Sequence, residues 1–257
     1  MSSPSDGEAA AKPPVGRRLD WPDCHNARDL GGLQRRGGVT RSKVLVRSDD
    51  ISVLTAPGRE AMCAYGITTV IDLRSESERN GTFDARFPRA IGDLIKADGV
   101  TYLHHALIDD ASLRRVGEAT DMFDRYLLML DTRQDAIREI FTSIARAEGG
   151  VVFHCFAGKD RTGLVAAILL ALADVERAEI AADFGETDVQ LAALYERWIA
   201  DASAEKQAEI REELRCPPER ILGVLDHLDS AWGGVASYLE TAGVTAETID
   251  RLRARLA

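Results

Sequence analysis

The sequence predicts an α/β fold: a central, mostly parallel sheet flanked by helices, with a helical C-terminal part. Two observations lead to this prediction. Short β-like runs at residues 43–47, 68–73, 100–104 and 151–153 alternate with segments of helical apolar spacing, and after the last run the pattern stays helical. Strands separated by helices favour parallel pairing, because the crossover helix returns the chain to the end of the sheet at which the previous strand began.

The helices are predicted from apolar spacing and from residues that end helices. Gly149-Gly150 ends one helix before the strand at 151–153, and Pro217-Pro218 interrupts the C-terminal series. The predicted helices are 55–65, 122–130, 134–147, 164–173, 178–202, 204–215, 219–231, 235–242 and 246–256. We expect one domain over residues 19–257. In it, the helical segment 178–216 lies over or beside the C-terminal end of the strand at 151–153.

The first 18 residues mix Ser, Gly, Pro, Ala and charged residues without the apolar stretch of a secretory signal. They predict a disordered tail and, by default, a cytoplasmic location, with export without a cleavable signal left open. The longest apolar run, residues 164–173, is too short to cross a bilayer, so no stable membrane insertion is expected.

Charge and cysteine content narrow the functional classes. The net charge of -10 argues against general binding to nucleic acid, which requires a basic surface. The four cysteines lack the paired spacing of a zinc site and the density of a disulfide framework. We therefore expect reduced thiols, no metal and no cofactor.

One segment, His154-Cys155-Phe156-Ala157-Gly158-Lys159-Asp160-Arg161-Thr162-Gly163, has the properties of a phosphate-binding loop. It joins a β-like run to an apolar helix, and a short loop at a helix N-terminus can direct several backbone N–H groups onto one anion. Arg161 enters the first helical turn, where its planar fork can hold two phosphate oxygens. Cys155 would lie in the same cradle, whose positive potential favours the nucleophilic thiolate. An isolated Cys beside an apolar helix is more often a buried small hydrophobe, but Gly158 and Gly163 favour the functional interpretation.

This segment resembles the catalytic loop of the cysteine-dependent protein tyrosine phosphatases, His-Cys-x5-Arg-Ser/Thr. Its longer form is similar to that of a bacterial branch with mycobacterial members. Further patterns of that branch follow in the same order, and the resemblance covers the chain from about residue 21 to its end. They are Asn26-Ala27-Arg28-Asp29-Leu30-Gly31-Gly32, Arg47-Ser48-Asp49, Asp72-Leu73-Arg74-Ser75 with Glu78, and the stretch from Tyr238-Leu239-Glu240 to Leu252-Arg253.

The resemblance implies hydrolysis of phosphotyrosine in proteins, and in some members of phosphoserine, phosphothreonine or phosphoinositides, through a cysteinyl-phosphate on Cys155. Phosphorylated proteins are then the expected partners. Two other classes remain as alternatives: a noncatalytic phosphoprotein-binding module and a rhodanese-type sulfurtransferase, although the latter's loop lacks the Arg-Thr-Gly continuation. The resemblance also implies that residues 178–216 act as a lid; helices that simply cover one sheet face are the competing interpretation.

The general acid is left between candidates. The resemblance assigns it to Asp160 inside the loop, while Asp109 and Asp110, which follow the strand at 100–104, compete for the role. Trp21-Pro22-Asp23 matches the acid-bearing pattern of other tyrosine phosphatases, but it lies far from the catalytic strand in sequence, so we do not assign it that role.

The remaining site predictions concern binding and support. Phosphate contacts are predicted for Phe156, Ala157, Gly158, Lys159 and Thr162. Lys159 suggests, by resemblance, a site for polyphosphorylated head groups, or else it pairs with a carboxylate, and Thr162 is expected to offer its hydroxyl to the Cys155 sulfur or to be a plain helix N-terminal threonine. Support of the loop from behind is predicted for His154, Asp72, Arg74, Asn26, Arg28 and Asp29, with ordinary turn and salt-bridge structure as the alternative.

Overall fold

The strands form a five-stranded sheet and a small separate ribbon in the computed structural model, which describes residues 16–82, 92–119 and 121–257. They are β1 (Arg28–Asp29), β2 (Gln34–Arg35), β3 (Gly38–Val39), β4 (Leu45–Ser48), β5 (Ile67–Asp72), β6 (Thr101–His104) and β7 (Gly150–His154). The sheet has the order β1-β4-β7-β5-β6, and β2 pairs with β3. All pairs in the sheet are parallel except that of β1 with β4 at the edge.

Helices connect and cover the strands. They are α1 (Ala56–Tyr65), α2 (Glu76–Arg79), α3 (Gly92–Ala97), α4 (Asp110–Gly117), α5 (Met122–Thr132), α6 (Gln134–Arg146), α7 (Asp160–Leu172), α8 (Arg177–Ala200), α9 (Ala204–Leu214), α10 (Pro218–Trp232), α11 (Val235–Thr241) and α12 (Ala246–Leu256). A 3-10 turn spans Ile51–Val53. Apolar side chains from both faces of the sheet form two hydrophobic clusters, the larger of which includes the buried apolar side chains of α6 and α7.

The central strand β7 delivers the predicted loop. All five of its residues are buried, as expected of a strand covered on both faces. Its last residue, His154, is in register with Ser48 of β4 and with Asp72 of β5. Three parallel strands therefore end side by side where the loop begins, the position at which open α/β sheets place their ligands.

The helix after the loop is the most buried of the helices that the structure describes. Side chains of α7 are buried all round it, because α7 contacts the sheet as well as α8, α10, α11 and α12. A helix enclosed in this way has little freedom to move, so it holds the loop's C-terminal end in place.

These observations confirm the predicted fold class, and the helices and strands predicted from the sequence are present with their ends shifted by a few residues. Sequence reasoning missed the short elements β1, β2, β3, α2, α3 and α4.

Of the predicted disordered tail, residues 1–15 lie outside the described part. Arg17 belongs to the folded body, because its side chain is buried and its Nη2 atom pairs with Asp183. In the described ranges, no helix has the length and apolar character needed to cross a membrane.

Candidate active site

The loop backbone is tied to the scaffold by its carbonyl groups. Four consecutive carbonyl oxygens each lie within hydrogen-bond distance of a group behind the loop. The pairs are Cys155 with His154 Nδ1 (3.2 Å), Phe156 with the Asp50 N–H (2.9 Å), Ala157 with Asn26 Nδ2 (2.9 Å) and Gly158 with Arg47 Nη2 (2.7 Å).

This pattern determines where the loop N–H groups point. In a planar trans peptide the N–H is opposite to the carbonyl of the same peptide unit, and the described residues contain no cis peptide. The N–H groups of residues 156–159 therefore point away from the scaffold, toward the side on which an anion can approach. Backbone N–H groups arranged in this way can bind an anion.

Gly158 is required by the close approach of the loop to β4. Its φ is +66°, and an added Cβ would lie 2.6 Å from the Asp49 backbone nitrogen and from the Ser48 carbonyl oxygen. A side chain at this position would push the loop off the strand ends.

Arg161 is held by a residue to which sequence reasoning gave no role. Its Nη1 and Nη2 atoms donate to Glu78 Oε2 (2.5 Å) and Oε1 (2.7 Å). Burial opposes the charge on both groups, but their attraction outweighs it, lowering the pKa of Glu78 and raising that of Arg161. Glu78 is itself fixed by a capping box, in which the Ser75 N–H donates to Oε2 and the Ser75 hydroxyl accepts from the Glu78 N–H.

A buried charged cluster supports the loop on the β5 side. Arg74 donates to both carboxylate oxygens of Asp72 and to Asp50 Oδ2 (2.7 Å). His154 lies between these carboxylates, with Nε2 3.7 Å from Asp72 Oδ2. Burial lowers the pKa of His154, so it is neutral at pH 7, which suits the predicted structural role rather than proton shuttling.

A second cluster supports the loop on the β4 side. Asp183 of α8 pairs with Arg17, Arg28 and Arg47, and all four side chains are buried. Arg47 spans from Asp183 Oδ2 (2.6 Å) to the Gly158 carbonyl, and Arg28 donates to the Asn26 side-chain oxygen, which orients the Asn26 amide toward the loop. Burial and repulsion from Arg47 lower the pKa of Arg28 to about 9, so it stays charged at neutral pH.

The predicted support residues therefore divide into two groups. His154, Asp72, Arg74, Asn26 and Arg28 lie behind the loop as expected. Asp29 does not: its carboxylate accepts from the Gly31 and Lys43 N–H groups and from the Tyr65 hydroxyl, at the edge of the sheet. Because Asp29 fixes this turn, the prediction that it orients the loop is corrected.

Asp160 begins α7 beside the loop and is 29% exposed. Its Oδ1 atom accepts a hydrogen bond from the Tyr126 hydroxyl and lies 3.3 Å from Lys159 Nζ. Lys159 is buried and its Nζ donates to the Glu213 carbonyl at the end of α9 (2.5 Å). The lysine predicted to meet phosphate is thus engaged with a carboxylate and with the covering segment.

The competing acid candidates are engaged elsewhere. Asp109 accepts from the Ser112 N–H and pairs with Arg133, while Asp110 accepts from the Ser77 N–H and hydroxyl. Burial raises the pKa of Asp109, but its bonds with Ser112 and Arg133 outweigh this effect and lower it. The pKa of Asp110 is lowered chiefly by the hydrogen bond from the Ser77 hydroxyl. A carboxyl group with a lowered pKa is a poor proton donor at neutral pH.

Thr162 is buried, and within the described residues its hydroxyl has no hydrogen-bond partner. The predicted bond from this hydroxyl to the Cys155 sulfur is therefore absent from this arrangement.

Part of the segment 178–216 lies across the loop. The Trp198 ring of α8 stacks on the Phe156 ring, with centroids 5.5 Å apart and planes 17° from parallel. The segment also accepts the bond from Lys159 Nζ at the Glu213 carbonyl, and Cys155 in the loop is 2% exposed. No group of three or more His, Cys, Asp or Glu side chains in residues 16–82, 92–119 and 121–257 is arranged to hold a metal.

Sequence reasoning gave no role to five residues that position the site: Asp50, Tyr126, Asp183, and Arg47 and Glu78, the last two of which appeared only as parts of quoted patterns. One signal was available for Glu78, because Ser75-x-x-Glu78 is a capping-box pattern. Asp183 and Tyr126 carried no signal, since their partners are remote in sequence.

Comparison with known proteins agrees with this geometry. Residues 19–257 match the pattern described as "Tyrosine phosphatase family". A tyrosine-protein phosphatase of Nostoc commune is 32% identical over 233 residues, covering 86% of this chain and 76% of the relative. The triple specificity protein phosphatase PtpB of Mycobacterium tuberculosis is 28% identical over 270 residues, covering 91% of this chain and 97% of the relative. The chain belongs to the tyrosine phosphatase family and is a phosphatase.

Proposed function

We propose that this phosphatase hydrolyses phosphotyrosine in proteins, and phosphoserine or phosphothreonine as well, through a cysteinyl-phosphate on Cys155. One observation carries the proposal. The carbonyls of residues 155–158 are held by the scaffold, so the opposite N–H groups point away from it, and Arg161, fixed by Glu78, is close enough to Cys155 to interact with it electrostatically. Three equatorial phosphate oxygens fit such a ring of donors.

The reaction has two displacements at phosphorus. The Cys155 thiolate attacks, the P–O bond to the substrate breaks, and the leaving oxygen takes a proton from Asp160. Water then attacks the cysteinyl-phosphate while the Asp160 carboxylate accepts its proton. The S–P bond breaks, inorganic phosphate leaves and the thiolate is regenerated. Arg161 and the loop N–H groups stabilise the charge on the transferred phosphoryl oxygens in both steps.

The assignment of the acid to Asp160 rests on placement. Asp160 directly follows the loop and keeps part of its side chain exposed, whereas Asp109 and Asp110 are held by other partners that lower their pKa. Because the acid must reach the leaving oxygen, a carboxyl group next to the phosphate cradle is better placed than one on α4.

Within residues 178–216, the part that covers the loop, from Trp198 to Glu213, is proposed to be the lid, while Asp183 near the start of α8 stays in the buried cluster. α9 has no buried side chain, so little packing holds it down, and Val189 on α8 is 72% exposed. Yet this segment contributes Trp198 and the Glu213 carbonyl to the contacts over the loop. A protein substrate would have to displace these contacts in order to reach Cys155.

Phosphoinositide hydrolysis is the second candidate. Lys159 is the cation next to the cradle, and releasing it from Glu213 would free it for a second phosphate group. The name of the mycobacterial relative, triple specificity protein phosphatase, also supports more than one class of phosphoester. The absence of nucleic-acid partners and the cytoplasmic location expected from the sequence stay predictions.

Phosphate release tests these proposals directly. Phosphotyrosine, phosphoserine and phosphoinositide substrates would be compared by a malachite-green assay in wild type, Cys155→Ser and the control Cys63→Ser, whose thiol is half-buried outside the loop. We expect release from phosphotyrosine peptide that only Cys155→Ser abolishes, and a phosphorylated adduct on Cys155 in acid-quenched samples. Turnover retained in Cys155→Ser would refute the mechanism, and no lipid turnover would remove the second candidate.

A further inference from the structure

Tyr126 of α5 is fully buried, and its hydroxyl donates to Asp160 Oδ1. Its ring packs edge-on against Phe184 of α8, with centroids 6.4 Å apart and planes at 89°. Packing on this side prevents the ring from turning away, so the hydroxyl is aimed at the start of α7.

The contacts of Asp160 are one-sided. Both the Tyr126 hydroxyl and Lys159 Nζ approach Oδ1, and among the described residues Oδ2 accepts no hydrogen bond. A carboxylic acid held by one oxygen carries its transferable proton on the other. The contacts thus leave Oδ2 as the atom that can exchange a proton with the substrate or with water.

We propose that Tyr126 is a positioning residue for catalysis: by binding Oδ1 it fixes the Asp160 carboxyl so that Oδ2 donates the proton to the leaving oxygen. The inference rests on the proposed function, specifically on Asp160 as the general acid. It also explains how an acid without a mobile loop of its own keeps one orientation. After the proton leaves, the Tyr126 hydroxyl stabilises the carboxylate, which must then accept a proton from water.

The hydroxyl is suited to this task because it remains a donor. Burial, followed by the charge of Asp160, raises the pKa of Tyr126 well above its ordinary value. The phenol therefore stays protonated throughout the cycle and does not compete for the proton that Asp160 transfers.

The competing explanation is that a buried tyrosine merely uses Asp160 to satisfy its hydroxyl. Tyr238 provides a matched control. It is equally buried, and its hydroxyl donates to the Leu130 carbonyl at 2.9 Å and not to Asp160. Tyr126→Phe and Tyr238→Phe both remove one buried hydroxyl and keep the ring.

The experiment measures kcat and KM for aryl phosphates with good and poor leaving groups. Tyr126→Phe and Tyr238→Phe would each be made in wild type and in Asp160→Asn, with melting temperatures recorded for all variants. We expect Tyr126→Phe to lower kcat for the poorest leaving groups by about tenfold, to spare the best ones, and to leave KM unchanged. In the Asp160→Asn background it should cause no further loss, because the group that it positions is already inactive. Tyr238→Phe should leave the dependence on leaving group as in wild type.

Two results would overturn the inference, and they differ in what else they overturn. If Asp160→Asn slows poor leaving groups selectively but Tyr126→Phe does not, Tyr126 has only a structural role and the proposed function stands. If Asp160→Asn itself shows no selectivity, the acid assignment is wrong and the inference falls with it. The melting temperatures separate either result from a loss of folded protein.

Discussion

Glu78 and Arg161 form a two-point ion pair in which each guanidinium Nη atom faces one carboxylate oxygen, at 2.5 and 2.7 Å. The pair joins α2, which follows β5, to the first turn of α7. Its geometry fixes the plane of the guanidinium fork, so Arg161 needs little reorganisation to hold phosphate oxygens. The short capped helix α2 thus acts on the site although it contributes no residue to the loop.

Glu78→Gln should reduce kcat/KM by roughly 100-fold, because the neutral amide no longer holds Arg161 by two charged bonds and the guanidinium shifts. Steady-state kinetics with a phosphotyrosine peptide measure the loss. Glu76→Gln is the control on the same helix, since Glu76 is 53% exposed and pairs with Arg79 and His104 instead. Equal effects of the two substitutions would contradict a specific role for Glu78.

Asp160→Asn should slow poor leaving groups by about 100-fold or more and leave good ones nearly unchanged, because only poor leaving groups need a proton to depart. Asp109→Asn and Asp110→Asn serve as comparisons, and both should retain the wild-type dependence on leaving group. Kinetics on alkyl and aryl phosphates check the prediction. A selective loss in either comparison variant would move the acid to that residue.

Asp183→Asn should destabilise the protein by roughly 3 to 5 kcal/mol at pH 7, because it leaves three buried arginines without their carboxylate. Burial raises the pKa of Asp183, but Arg28, Arg17 and Arg47 outweigh it and lower the pKa well below the ordinary value. The stabilisation is therefore complete above the unfolded pKa of about 3.9 and is lost as the pH falls toward the lower folded pKa.

Urea unfolding of wild type and Asp183→Asn between pH 7 and pH 3 measures this effect. The difference in unfolding free energy should be constant at the upper end and shrink below about pH 4. Asp226→Asn is the control: Asp226 is 72% exposed in its pair with Arg177, so its loss should change stability by less than about 0.5 kcal/mol. A gap that stays constant to pH 3 would be inconsistent with the lowered pKa.

Gly158→Ala should lower stability by about 1 to 3 kcal/mol and reduce turnover strongly, since the new methyl group would meet the backbone of β4 and its neighbour Asp49. Thermal unfolding and phosphate release measure the two effects. Gly117→Ala on α4 is the control, because its added Cβ would have no atom within 4 Å. Full activity of Gly158→Ala would mean that the loop does not need its close approach to the strand.

Lys159→Met should loosen the proposed lid, because Met keeps the length of the side chain but cannot donate to the Glu213 carbonyl. Amide hydrogen exchange should become faster in Ala204–Leu214, the helix without buried side chains. Lys206→Met, on the exposed surface of the same helix, should leave exchange unchanged. Equal protection in wild type and Lys159→Met would show that the contact does not hold the segment.

The sequence by itself determined where the proposed catalytic loop lies and the fold around it. Cys155, Gly158 and Arg161 lie within one short segment whose spacing needs no remote information, and the strand and helix on either side follow from local periodicity. The same holds for the longer helices and strands, whose ends were predicted to within a few residues. Short elements such as α2 and β1 escaped prediction because a few residues carry too little periodic signal.

Tertiary structure alone decided what holds that loop. Arg47 of β4 contacts the loop carbonyl of Gly158 and is itself held by Asp183 of α8. Glu78 of α2 holds Arg161 and Tyr126 of α5 holds Asp160, and all these partners are far apart in sequence. It also separated Asp29 from its neighbours Asn26 and Arg28, since pairing at the sheet edge turns its carboxylate toward Lys43 and Tyr65. The spacing of residues within the segment determines the loop's own backbone. Buried charged side chains acquire their partners only when strands and helices pack together and exclude the water between them.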